Sequence, residues 1–323
     1  MDFSSTSIKF KEYLNQGSLE GLASIPKSDL HNHATNGGNV EYLKKRANIN
    51  IESPPKSFSS VNDAMNWMFI NITQYCDRFM RFEAAFDQAK NDGISVLAMS
   101  VHTKQLSEFG TYEQFFKILD ELKNKHIHDT LFMPEWFIYG GSEVDKIDYQ
   151  YSLMDEILSF NYFKSIDIGC DELEDSIKTY KDLKETCRKA KKAGLKLKAH
   201  VGEYGTADDV MKAVEEWELD EVQHGIGASS SPQIMNWLAQ HKIKLNVCPT
   251  SNIMLERVSS YIEHPIKKLY DYGVPVTINT DDMLIFNQSV SQEYLNLFRC
   301  GLMSAEELDN IRLTGLSAYS NAI

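Results

Sequence analysis

Residues 195–203 read Leu195-Lys196-Leu197-Lys198-Ala199-His200-Val201-Gly202-Glu203. The run up to Val201 has the regular pattern of a strand, in which successive side chains point to opposite faces. His200 and Glu203 close it. On the N-terminal side, an amphipathic stretch over 172–193 ends in a Lys-rich turn followed by Gly194. A cationic last turn and a glycine just beyond it are favoured at helix C-termini. On the other side, Gly202 lets the backbone turn sharply or pass close to a ligand, and 207–218 resumes a helical pattern. The local unit is helix, strand, polar turn, helix.

That unit recurs almost from end to end. Strands are predicted over 28–33, 94–100, 131–138, 165–169, 195–201, 221–225, 244–248 and 275–279, and helices over 232–241, 265–272 and 305–319. Pro232 follows a serine run able to cap its helix, and Asp92-Gly93 marks a helix-to-strand junction. Eight alternations in 323 residues point to a closed parallel (β/α)8 barrel of the TIM type. Extra helices are expected at the N-terminus and in an insertion over 61–90, reached through Ser53-Pro54-Pro55. The rival, an open doubly wound sheet, often carries a Gly-rich phosphate turn, and neither GxGxxG nor GxxxxGK[ST] occurs. No repeat, low-complexity tract or long linker divides the chain, so one domain over 1–323 is expected.

With 46 acidic and 33 basic residues, the formal charge is −13. Such a chain repels a phosphate backbone at long range, so no nucleic-acid partner is expected. Cys76, Cys170, Cys187, Cys248 and Cys300 are odd in number, widely spaced and form no CxxC pair. They fit reduced thiols better than a disulfide framework. No window approaches the length of a membrane span and the first residues lack an apolar targeting core. A soluble, cytoplasmic protein is the expectation.

Four groups of polar residues fall at predicted strand ends. His31 and His33, spaced i, i+2, share one strand face, and two imidazoles there can grip one metal. His200 is followed three residues later by Glu203, a metal ligand beside an acid/base group. His224 precedes Gly225. Asp281 and Asp282 face different ways at the end of an apolar strand and can do different jobs. These are the ends of strands one, five, six and eight, all at the barrel mouth where active sites of this architecture sit. Three neutral imidazoles and a carboxylate make a sensible set for Zn²⁺ with room for a water.

At this point the sequence resembles the adenosine, AMP and adenine deaminase family of the amidohydrolase superfamily, and adenosine deaminase most of all. The matching segments are Pro26-Lys27-Ser28-Asp29-Leu30-His31-Asn32-His33, His200-Val201-Gly202-Glu203, His224-Gly225, Cys248-Pro249-Thr250-Ser251-Asn252, His264-Pro265-Ile266 and Asn279-Thr280-Asp281-Asp282. The resemblance implies one Zn²⁺ per chain held by His31, His33, His200 and Asp281. It makes Glu203 the acid that protonates purine N1 while water attacks C6. His224 would orient and help deprotonate that water, and Asp282 would hydrogen-bond N7. The implied reaction is hydrolytic deamination of adenosine or deoxyadenosine. The runners-up are the same chemistry on adenine, an adenine nucleotide or a modified nucleoside, another hydrolase of the superfamily, and a non-catalytic nucleoside-binding protein.

The sequence departs from the family on the sugar side. Where adenosine deaminases follow the second histidine with Leu-Asp-Gly, this chain has His33-Ala34-Thr35-Asn36-Gly37-Gly38. Thr35, or Asn36 with one residue inserted, takes the aspartate's place and no carboxylate is present. After strand four, Cys170 stands where the family has the glycine whose amide faces N3, unless a shift brings Gly169 there. His102 is a further candidate at the mouth. His126, His128 and His241 are expected on surface helices, and His264 orders its loop.

Overall fold

The alternation read at 195–201 is real, but its polar face points inward. In the computed structural model, which describes residues 3–102, 105, 108–139, 151–169 and 181–317, eight strands run parallel, each beside the next in chain order. They are β1 (Lys27–Asp29), β2 (Ile94–His102), β3 (Leu131–Tyr139), β4 (Ser165–Gly169), β5 (Lys196–Val201), β6 (Glu221–His224), β7 (Lys244–Val247) and β8 (Val276–Ile278). Between β8 and β1 the pairing narrows to a bridge of Asn32 with Asp281. There the Asp281 amide donates to the His31 carbonyl at 2.9 Å, and the Leu30 amide donates to Asn279 Oδ1 at 2.7 Å. With helices between the strands, this is the expected (β/α)8 barrel, ringed at its mouth by those bonds.

Several boundaries move for local reasons. The strand expected over 28–33 is laddered only at Lys27–Asp29. Beyond it the chain is shared between neighbours, His33 bridging Ser100 while Asn32 bridges Asp281. The helix expected over 61–90 is broken. It runs as Val61–Met68, opens into a π-helical turn at Phe69–Thr73, and restarts as Arg78–Asn91. Asp77 makes the restart, its Oδ1 accepting the Met80 amide at 2.8 Å, the role of an N-cap. The helix expected over 172–193 is observed as Lys181–Lys192; residues 172–180 lie outside the described residues. Gly194 adopts φ 87, and Pro232 opens its helix with Ser231 as cap.

Leu197 and Ala199 turn toward the helices and join the main apolar core. Lys198 and His200 turn into the barrel. Lys198 Nζ lies 2.6 Å from Glu135 Oε1 and 3.3 Å from Glu221 Oε2, and donates to the Leu30 carbonyl at 3.1 Å. Ser165 Oγ donates to Glu135 at 2.6 Å and Asn246 Nδ2 to Glu221 at 3.0 Å. All five side chains are buried. Burial opposes the charge on Glu221, yet Lys198, Lys244 and Lys196 hold it well below the usual carboxylate range. The barrel interior is thus an ionic layer rather than the packed aliphatic residues common in this architecture.

Lys198→Met leaves two carboxylates without the cation they share. Removing one member of a buried ion cluster destabilises by about 3–5 kcal/mol, so urea unfolding of the variant should show a loss of that size. A loss near zero would mean the lysine does not hold the interior together.

Candidate active site

Each functional side chain sits where a strand ends, and the backbone there is bent to aim it. His224 and Asp281 adopt φ 62 and 60, a left-handed conformation uncommon outside glycine and tolerated mainly where the surroundings enforce it. Gly202 and Gly225 follow the same turn at φ 73 and 70. A β-carbon on Gly202 would strike the Val210 side chain, so glycine is required twice over at that position.

These turns gather residues from four strands. His31 Nε2 and His200 Nε2 face each other at 3.0 Å. Asp281 Oδ1 lies 3.6 Å from His31 Nε2 and 3.3 Å from His33 Nε2. Donors sharing one ion through bonds of about 2.0–2.1 Å are separated by a little over 3 Å, so the cluster has the right dimensions. Its chemistry fits as well. The Nδ1 atoms of His31 and His200 face the carbonyls of Asn246 and Ile168 at 3.5 and 3.2 Å. The Cys248 thiol, 3.4 Å from His31 Nδ1, donates to the same Asn246 carbonyl, so both Nδ1 atoms carry protons, which leaves two Nε2 lone pairs pointing at one another. A cation between them removes that repulsion.

The electrostatics agree. Burial resists charge on Asp281, but the imidazoles of His31, His33 and His224 hold it well below its ordinary value. Burial likewise opposes charge on His33, and the Asp282 and Asp281 carboxylates override it and lift its pKa to about 10. A proton there occupies the electrostatic place of a cation, and metal binding would displace it. Two other groupings, His31 with His200 and His224, and His224 with Cys248 and Asp281, also bring ligand atoms within 4.8 Å of one another. Burial pushes the Cys248 thiol well above its ordinary pKa, and its Sγ lies 3.4 Å from His31 Nδ1 and 3.9 Å from the Asn246 carbonyl.

A profile of the adenosine deaminase family matches residues 160–320. A putative adenosine/adenine deaminase of Treponema pallidum is 31% identical over 291 residues, covering 89% of this chain and 96% of its own. The chain belongs to the adenosine/adenine deaminase family. The fold is shared with adenine deaminase from Arthrobacter aurescens, at TM-score 0.76 and 18% identity over 91% of this chain and 93% of that one. It is shared also with the Arabidopsis ADAL protein complexed with IMP, at TM-score 0.73 and 17% identity over 93% of each chain. The protein is therefore a metal-dependent aminohydrolase.

In this deaminase the histidine cluster opens into a cavity of about 340 Å3, at the small end of the range of about 300–1,000 Å3 for small-molecule sites. Glu203, His224, Asp282, Thr35, Asn36, Gly169 and His102 all line it. Glu203 Oε2 is 3.6 Å from His224 Nε2, while its buried Oε1 has no hydrogen-bond partner among the described residues. Burial, reinforced by Asp281, raises the Glu203 pKa well above its ordinary value. Burial also lifts Asp282 to about 6 against a hydrogen bond from Asn36, and its Oδ1 too has no partner among the described residues. Both carboxyl groups line the cavity, and burial favours the proton more on Glu203 than on Asp282. Cys170 lies outside the described residues. His264 is buried behind His224 rather than in the metal cluster, and His126, expected on a surface, is mostly covered between Glu83 and Asp87.

Three residues of the site carried no role in the sequence. Asp167 places Oδ1 3.5 Å from His200 Nδ1 and accepts from Ser100 Oγ at 2.5 Å; its i, i+2 spacing from Gly169 was the available signal. Gln105 Nε2 donates to Thr35 Oγ1 at 2.9 Å, and Thr35 Oγ1 donates to Asn36 Oδ1 at 3.2 Å. Nothing in the sequence marks Gln105. Asn252 contacts His224 across a loop.

The cluster predicts its own metal content. Protein purified without chelator should carry about one ion per chain by inductively coupled plasma mass spectrometry, the number one such cluster can hold. Asp281→Asn should lose most of it. Full metal retention in that variant would remove Asp281 from the ligand set.

Proposed function

We propose that this deaminase converts adenosine or deoxyadenosine to inosine or deoxyinosine with release of ammonia, using one Zn²⁺ held by His31, His33, His200 and Asp281. Three imidazoles and a carboxylate suit zinc among the common ions. The ion, when bound, lowers the pKa of water to about 7 and so supplies hydroxide near neutral pH.

The chain's own groups do the rest. The purine ring enters with C6 over the cluster. Glu203, protonated because it is buried, gives its proton to N1 as the oxygen adds to C6. That draws off the negative charge that would otherwise build on the ring. Left ionised, it accepts the proton of the new C6 hydroxyl and delivers it to the departing amine. His224 orients the attacking oxygen. Asp282, raised by burial to about 6, serves N7 in its protonated form, offering an O–H to the lone pair; an ionised carboxylate there would repel it.

The lining of the cavity carries the choice of a nucleoside. Among the described residues, no lysine or arginine lines it. Arg257 stacks on the Tyr204 ring at 4.4 Å and lines a separate cavity behind Glu203. The outer wall is apolar, built by Val61, Ala64, Met65, Leu255, Ile285 and Phe286, with Thr35, Asn36 and Gln105 as its neutral polar edge. Such a wall accepts an uncharged sugar and opposes a phosphate, whose charge is expensive to bury unpaired. The IMP bound to the Arabidopsis protein makes the nucleotide the competing reading.

Adenosine, deoxyadenosine, adenine and AMP, assayed for ammonia release, decide between them. The nucleosides should exceed AMP in kcat/KM by about two orders of magnitude, the penalty of leaving a buried charge unpaired. Faster turnover of AMP or adenine would overturn the nucleoside assignment. Glu203→Gln should keep its metal and lose about 10²–10⁴ in kcat, the usual contribution of a placed general acid.

A further inference from the structure

The buried histidines of the site are sorted by what faces their second ring nitrogen. His31 and His200 each turn Nδ1 toward a backbone carbonyl, and a carbonyl only accepts. Each keeps a lone pair on Nε2, the form a metal needs. His224 is wired the other way.

The wiring starts at a group with no ambiguity. The backbone amide of Ile266 can only donate, and it reaches His264 Nδ1 at 3.2 Å. His264 therefore accepts at Nδ1 and, with one proton on its ring, bears it on Nε2. That N–H meets Asn252 Oδ1 at 3.3 Å. The side-chain amide of Asn252 is thereby oriented, and its Nδ2 donates to His224 Nδ1 at 3.2 Å. A nitrogen that accepts carries no proton, so the proton of His224 sits on Nε2. That atom faces Glu203 Oε2 at 3.6 Å and Asp281 Oδ2 at 3.7 Å. Turning Asn252 over would ask His264 to accept on both nitrogens, which a neutral imidazole cannot do. His264, Asn252 and His224 are all buried, so water does not readily substitute for a lost partner.

We infer that Asn252 and His264 are positioning residues that lock His224 in its Nε2–H tautomer, making it a fixed hydrogen-bond donor to the attacking oxygen and neither that oxygen's base nor a ligand of the metal. The identity of the oxygen rests on the deamination proposed above; the wiring does not. A zinc ion in the site would supply the acidity by which the water's proton passes to solvent, and the proton received by N1 comes from Glu203. The same wiring removes His224 from both alternative ligand groupings, because a protonated Nε2 has no lone pair to offer.

The test is long-range ¹H–¹⁵N correlation NMR of the zinc-loaded, full-length protein labelled with ¹⁵N-histidine, with His224 assigned by its absence in His224→Gln. His224 is expected as the Nε2–H tautomer, opposite to His31 and His200. In Asn252→Asp a carboxylate, which only accepts, faces His224, and the spectrum should show a proton on Nδ1. In that variant kcat should fall by about two orders of magnitude, within the range of acid–base and hydrogen-bonding groups, while KM stays within about threefold. A wild-type His224 protonated on Nδ1, or an Nε2–H tautomer unchanged in Asn252→Asp, overturns the inference. Absence of turnover on every purine with the expected tautomers intact would overturn the proposed reaction and leave the wiring standing.

Discussion

The bond from the Asp281 amide to the His31 carbonyl, at 2.9 Å, joins the last strand of the barrel to the first. Without it and the neighbouring bonds of Leu30 to Asn279 and Thr280 to Asp29, His31 and His33 would belong to one edge of a sheet and Asp281 to the other. With these bonds they share a mouth, and the imidazole of His31 comes within 3.6 Å of the Asp281 carboxylate. The metal cluster is in this sense a by-product of closure. The converse also holds. An ion bound across the seam would tie β8 to β1 where their ladder is reduced to a single bridge, so binding and folding draw on the same contacts.

Beneath the mouth, the barrel spends its interior on charge. Lys198, Glu135 and Glu221 make a closed ionic layer, and Ser100 and Asp167 continue it up to His200. A ligand's orientation is set by what its far side touches. Here those far sides reach backbone carbonyls or the polar interior and are held by elements that cannot easily move. His224 and Asp281 complete the arrangement from left-handed backbone positions. Strain of about 1–3 kcal/mol at such positions persists only where the surroundings over-determine it. A closed barrel supplies those surroundings.

Much of this was legible in the sequence. Strand ends, the i, i+2 pair His31 and His33, and the polar residues closing strands five, six and eight pointed to the fold and to side chains that the structure brings to one mouth, because period and position are local properties. The direction of the Lys196–Lys198 face was not legible. Alternation shows that two faces differ but not which one meets the helices, and here the apolar face does. The break inside 61–90 was hidden because Asp77 as a cap outweighs the apolar periodicity on either side of it. Asn252 and Gln105 act through partners far away in the chain, and neither spacing nor composition encodes such pairings. Resemblance brought the segment around Asn252 into view but left its side chain without a task.

In the proposed site a single ion is held by His31, His33, His200 and Asp281 while Cys248, within reach of the same space, stays a thiol. X-ray absorption at the zinc edge of the metal-loaded protein reads the coordination shell directly. Zinc held by that set has nitrogen and oxygen neighbours only, at about 2.0–2.1 Å. A sulfur neighbour at about 2.3 Å would put Cys248 in the shell and dismantle the ligand set on which the rest is built.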